Sequence, residues 1–180
     1  MKKYLIVIDF QNDFIDGALG TDEAKAIVPN VVSKIKEYYK SKDSIYATRD
    51  THFDNYLETE EGKMIPVKHC IRDTEGWQLY KDIIKYIPNT RIDDKFSFAS
   101  NLLYQQIHLN MLSKKIPDND VQFEFCGLVT DICVLSNVMI FKAMFPFAKI
   151  VVDSSCCAGT TPEKHNAALA LMGMLGVEVV

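Results

Sequence analysis

Short β-branched apolar runs recur along the chain, separated by longer stretches of helical period, and this alternation narrows the fold more than any other feature. Runs that are apolar on both faces need cover on both faces, which a parallel sheet flanked by helices supplies. The predicted strands are Tyr4 to Ile8, Ser44 to Thr48, a weak one near Thr90 to Ile92, Val121 to Cys126, Lys149 to Val152, and Val177 to Val180. Helices are predicted over Asp22 to Lys40, Trp77 to Lys85 (short), Ser100 to Lys114, Asp131 to Met144, and Pro162 to Leu175. Pro162 suits a first helical turn, and Gly176 suits a helix end before the last strand. With 180 residues, 48% of them apolar, the chain can bury a sizeable core as one domain over residues 1–180. The segment from Asp50 to Gly76 fits neither period and is too long for an ordinary connection, which marks it as functional.

The net charge of −4 and the scattered Lys and Arg leave no basic field for nucleic acid, so a small molecule is the expected partner. The apolar run after Met1 is too short for a signal sequence and is closed by Asp9, and no run is long enough to span a bilayer. A cytoplasmic protein without membrane association is expected. The five cysteines are odd in number and have no CxxC spacing, which argues for free thiols over disulfides or a structural zinc cluster. Cys126, Cys156 and Cys157 read as small buried hydrophobes.

Ligands of open α/β sheets sit beyond the carboxyl ends of the strands. Four such ends carry polar residues: Asp9 to Phe14, Thr48 to His52, Asp93 to Phe96, and Gly127 to Cys133. Cys133 would lie in the first turn of a helix, where backbone N–H groups and the helix dipole favour a thiolate. A lone cysteine in an apolar helix is ordinarily structural; its neighbours change that reading. Asp9 ends a central strand and needs a partner there, and Lys95 can be that partner. Asp9 as base, Cys133 as nucleophile and Lys95 as the cation that holds both in their charged forms suffice for amide hydrolysis.

These residues stand in three motifs: Asp9-x-Gln11-x-Asp13-Phe14, Lys95-Phe96-Ser97-Phe98, and Gly127-x-x-Thr130-Asp131-x-Cys133-Val134. In this order and spacing, over nearly the whole chain, they resemble the isochorismatase-like cysteine hydrolases. The resemblance implies a six-stranded, mainly parallel, Rossmann-like three-layer sandwich in which Asp9, Lys95 and Cys133 form the triad. It also implies a cis peptide between Val129 and Thr130 that aims the N–H groups of Val129 and Cys133 at an oxyanion.

Within that family the chain looks like the nicotinamidases. Their Asp-x-His and later His match Asp50, His52 and His69, a set suited to a divalent metal: zinc first, with iron or manganese as alternatives. A fourth ligand is expected before the second histidine; Glu61 is the choice, with Glu58, Glu60 and Asp54 left open. By resemblance the metal binds the pyridine nitrogen, Phe14 supplies an aromatic wall, and Ile65 stands where the family often has an aromatic residue. The expected function is conversion of nicotinamide to nicotinate and ammonia through a Cys133 thioester, and a homo-oligomer is compatible with it. The alternative is a metal-free amidase of the same family acting on a carbamoyl or maleamate-like amide. A non-catalytic binding protein is disfavoured by the intact triad, and a dinucleotide site by the lack of GxGxxG after the first strand.

Overall fold

The computed structural model describes residues 1–180. Six parallel strands form one sheet in the order β3-β2-β1-β4-β5-β6: β1 Lys2–Ile8, β2 Ser44–Asp50, β3 Ile92–Lys95, β4 Val121–Leu128, β5 Lys149–Ala158 and β6 Glu178–Val179. Because β1 is central, its alternate residues enter two separate cores. Leu5 and Val7 join the side covered by α2 (Asp22–Lys40), with Val31 and Ile35. Tyr4, Ile6 and Ile8 join the side covered by α4 (Leu103–Ser113), α5 (Leu135–Met144) and α6 (Pro162–Met174). This is the α/β class expected of runs apolar on both faces.

Helix α2 starts where Thr21 Oγ1 accepts the N–H of Ala24, and α6 starts where Thr161 does the same for Lys164 with Pro162 in the first turn. Gly176 takes φ +80° before β6, as its place after α6 predicts. One polar group interrupts the α2 core. Lys34 reaches both Glu124 on β4 and Asp153 on β5, and Tyr38 donates to Glu124 at 2.6 Å, so the buried carboxylate is paired. No helix is long and apolar enough to cross a membrane.

Several elements differ from expectation. The weak third strand runs Ile92–Lys95, later than Thr90 to Ile92, because it pairs with β2 from Ala47 to Asp50. Residues Trp77 to Lys85 form no helix: Asn12 N–H donates to Gln78 and Tyr80 N–H to Phe10, so this stretch spends its backbone bonds on the β1 loop, and only Ile84–Tyr86 coils into a 3-10 turn. The long segment is not structureless. It contains a 3-10 turn (Tyr56–Glu58) and a short helix α3 (Glu60–Met64), with two further short helical elements nearby: α1 (Asn12–Ile15) after β1 and a 3-10 turn at Asn89–Arg91. Helix α4 begins at Leu103 instead of Ser100, because the Ser100 hydroxyl accepts the N–H groups of Leu102 and Leu103 as the chain turns in. Strand β5 continues to Ala158, past Val152, by way of an irregularity in its pairing with β4 between Phe125 and Gly127.

Candidate active site and metal centre

The carboxyl ends of β1, β2, β3 and β4 meet at one edge of the sheet, and the expected site residues are gathered there. The first motif is an architectural knot. Asp9 takes φ +44°, a left-handed turn unusual for a residue with a side chain, and its N–H donates to Thr48 Oγ1 at 3.1 Å. Gln11, fully buried, donates from Nε2 to the carbonyls of Asp50 (2.9 Å) and Trp77 (2.8 Å) and accepts the N–H of Asp50 (2.7 Å). Asp13 accepts the N–H of Cys70 at 2.7 Å, fastening the residue beside His69. The polar positions of this motif thus tie β1 to β2 and to the long segment.

Lys95, at the end of β3, is 2% exposed and sits between three groups: Nζ lies 2.8 Å from Asp9 Oδ2, 2.9 Å from Asp50 Oδ1 and 3.6 Å from Cys133 Sγ. Thr48 Oγ1 donates to the other Asp9 oxygen at 2.7 Å. Asp9 Oδ2 has the Lys95 ammonium as its partner, in the ion pair at 2.8 Å. Burial raises the Asp9 carboxyl above its ordinary range, against the pull of Lys95. Burial opposes the charge on Lys95 too, yet Asp9, Cys133 and Asp50 hold it protonated well above its usual value.

Cys133 does not occupy an ordinary first helical turn. Residues Thr130–Val134 form a wider π turn ahead of α5, in which Val134 N–H donates to the Val129 carbonyl. Burial pushes the thiol well above its usual value, more than Lys95 pulls it down, and so works against the thiolate that a helix start favours. The cis peptide is also one residue earlier than expected, between Leu128 and Val129 instead of Val129 and Thr130. It follows Gly127, where φ is +121° and a Cβ would fall 2.0 Å from the Ile8 carbonyl, so the chain turns at the first residue able to do so.

Other residues fix this turn from both sides. Asn137 on α5 donates to the Cys133 carbonyl (2.8 Å) and accepts the Ser100 N–H (2.9 Å). Asp131 accepts Thr160 N–H (2.7 Å) and Oγ1 (2.6 Å), and Thr130 Oγ1 lies 2.8 Å from His165 Nδ1. His165, whose pKa burial lowers, stays neutral in this contact.

Beside the triad, Asp50, His52, Glu61 and His69 bring one ligand atom each to within 4.8 Å of one another. Glu61 is therefore the acid that joins the set. Its place depends on Gly62, where a Cβ would lie 2.0 Å from the Tyr56 carbonyl, so α3 can pack on the preceding turn only with glycine there. Tyr56, fully buried, is wedged against both imidazoles, with ring centroids 4.4 Å from His52 and 5.0 Å from His69, and donates its hydroxyl to the Ile65 carbonyl.

The donor set fits a divalent cation. His69 Nδ1 lies 2.8 Å from the Val67 carbonyl, which can only accept, so in the neutral ring the Nε2 lone pair is left facing Asp50 Oδ2 at 3.5 Å and Glu61 Oε1 at 3.9 Å. Lone pairs so directed repel unless a cation lies among them. Burial alone would raise Asp50, but Lys95, His52 and His69 hold it well below the usual carboxylate range. Burial likewise opposes the charge on His52, and its contacts with Asp50 (2.9 Å) and Glu61 (3.4 Å) outweigh it, raising the pKa to about 9. A metal must displace that proton. Zinc affinity should therefore climb as pH rises towards 9, by about tenfold per unit. Glu61→Gln should weaken zinc by about tenfold or more, while Glu60→Gln leaves it unchanged. Calorimetric zinc titrations at several pH values check both, and equal losses in the two variants would remove Glu61 from the set.

Cys133 and three of the four possible ligands open on one cavity of about 350 Å³, lined by Phe14, Asp50, Glu61, Ile65, His69, Val129 and Cys133 among others, with Asp9, Lys95 and His52 behind its wall. Phe14 and Ile65 are thus both wall residues, and Phe14 also packs on the His69 ring at 5.5 Å. Trp77 is not in the wall; its indole donates to Thr51 and Arg49 stacks on it at 3.6 Å. A larger hollow, about 470 Å³, lies at the other end of the sheet near Tyr39 and Arg91 and contains neither nucleophile nor ligand set.

The family model for the isochorismatase domain matches residues 3–180. The chain belongs to the isochorismatase family. It is a hydrolase of that family, and it is 28% identical over 174 residues to the isochorismatase-family protein PncA of Bacillus subtilis, covering 94% of this chain and 93% of that protein. The fold superposes on the crystal structure of the nicotinamidase/pyrazinamidase PncA from B. subtilis with a TM-score of 0.82 at 26% identity, covering 100% of both chains. It superposes on the pyrazinamidase of Pyrococcus horikoshii in complex with zinc with a TM-score of 0.82 at 25% identity, covering 100% of this chain and 99% of that one.

The isochorismatase-family motifs did not reveal Thr48, Tyr56 or Asn137, which hold site residues without touching the cavity. Of the outer wall they contained Phe98 and Ile132 without marking them as wall residues, and gave no hint of Leu19, Thr21, Thr160 and Lys164. The signal for the last two was the polar Gly159-Thr160-Thr161 at the end of β5, hidden when that strand is ended at Val152.

Proposed function

We propose that the protein is a metal-dependent nicotinamidase that releases ammonia from nicotinamide through a Cys133 thioester. The observation that carries this reading is the quartet Asp50, His52, Glu61 and His69, three of which line the same apolar-walled cavity as Cys133. When bound there, a divalent metal, zinc in our reading, supplies a Lewis-acid anchor for a ring nitrogen and so orients the ring. Phe14 and Ile65 flank a flat ring. Cys133 Sγ attacks the carboxamide carbon as its proton passes to the Asp9 carboxylate. Lys95 stays protonated and steadies the charge that moves between sulfur and carboxylate. The N–H groups of Val129 and Cys133 serve the developing oxyanion. Asp9 returns the proton to the departing nitrogen, ammonia leaves, and Asp9 then draws a proton from the water that cleaves the thioester to nicotinate.

Five free, buried cysteines suit a reducing cytoplasm, where the product would enter NAD salvage. The test is ammonia release from nicotinamide by protein as purified, after chelation, and after zinc is restored. Loss of most activity on chelation and recovery with zinc are expected. Chelator-resistant hydrolysis of a maleamate-like amide, with nicotinamide left intact, would make the metal-free alternative the correct one.

A further inference from the structure

Lys164 lies in the first turn of α6, where the positive end of the helix dipole disfavours a cation, yet it lines the cavity that holds Cys133. Its ammonium forms no ion pair, and its backbone N–H donates to Thr161 Oγ1. The two acids in the same wall are committed elsewhere: Asp50 to Lys95 and His52, Glu61 to His52. Nearby hydroxyls are engaged as well, Thr160 with Asp131 and Thr21 with the Ala24 N–H, and the remaining outer wall is Leu19, Phe98 and Ile132. Lys164 is thus exposed at the rim of this cavity, the one ionic side chain of its wall with no ionic or hydrogen-bonding partner.

We infer that Lys164 determines specificity by reading an anionic substituent, so that the preferred substrate class is a planar heteroaromatic amide carrying a second acidic group away from the carboxamide. This rests on the amidase reading above and narrows it: neutral nicotinamide leaves the ammonium without a partner. A carboxylate at the ring's outer edge gives it one, and a charge-assisted contact of that kind favours binding.

The experiment compares nicotinamide, 5-methylnicotinamide as the size control, and 5-carboxynicotinamide, whose carboxylate is meta to both ring nitrogen and carboxamide. With zinc-loaded enzyme, kcat/KM for the carboxylated amide should exceed that for the neutral pair by about threefold, chiefly through KM, the scale of an exposed ion pair. Lys164→Met should bring the ratio to about one and Lys164→Glu should invert it. A purely structural role would lower all three substrates together and leave the ratio alone. A ratio unchanged by Lys164→Met, or a native enzyme that favours the neutral amides, overturns the inference. Equilibrium binding of the same amides to zinc-loaded Cys133→Ala protein, with and without Lys164→Met, separates the two levels of claim. If no variant hydrolyses nicotinamide but binding still follows charge at residue 164, the activity proposed above falls and the role of Lys164 stands.

Discussion

The Cys133→Ala protein is expected to hydrolyse nicotinamide about 10³-fold more slowly or worse, while keeping its fold and its metal. The side chain removed is small and borders the cavity, so the loss of packing is slight, but no other thiol can replace it. Cys70, Cys126, Cys156 and Cys157 are all buried, and none of them lines the cavity. Burial raises each of their pKa values above that of an ordinary thiol. Cys156→Ala should accordingly leave turnover near the native level. Steady-state ammonia release on both variants, with metal content measured alongside, decides the matter. Substantial turnover by Cys133→Ala would mean that the hydrolysis does not pass through a thioester.

Lys95→Met is expected to show the largest stability effect in the site, a loss of about 3–5 kcal/mol in unfolding free energy. The substitution leaves Asp9 and Asp50, both buried, facing one another without the amine that joins them. Unfolding should be followed in urea with chelator present, so that no metal offsets Asp50. The pH dependence has a definite sign. With Lys95 gone, the folded-state pKa of Asp9 rises further above its unfolded value, so the variant regains stability as pH falls from 7 towards the carboxylate range and loses it again as pH rises. A variant as stable as the native protein at pH 7 would mean that the ion pairs at Asp9 and Asp50 contribute nothing.

The parts of this molecule legible in the sequence are those where one residue does one thing. Alternating apolar runs announced both faces of the sheet, and Asp9, Lys95 and Cys133 stood out as polar groups at strand ends where a buried charge needs a reason. Legibility failed where tertiary contacts overrode local pattern. Trp77 to Lys85 has helical spacing, but its backbone is claimed by the loop after β1. β5 runs on past Val152 to Ala158 because it continues to pair with β4 to Leu128 across a pairing irregularity that no periodicity can foretell. The choice of Glu61 among neighbouring acids depended on a close approach of α3 to the turn before it, visible only as a glycine that has no room for a side chain. Burial around the Cys133 thiol, which works against the helix-end effect that local reading favoured, is likewise a product of the tertiary fold.

The fastening of the Cys133 turn to Thr160 and His165 bears on how the enzyme is born. Every triad and ligand residue precedes position 134, yet β4 aligns with β1, Lys2 opposite Val121 through Ile8 opposite Gly127, and one side of the turn beyond it is clamped by chain that a ribosome makes later. A nascent polypeptide halted before residue 159 would carry all seven of those side chains with the nucleophile's carrier held from the Asn137 side alone.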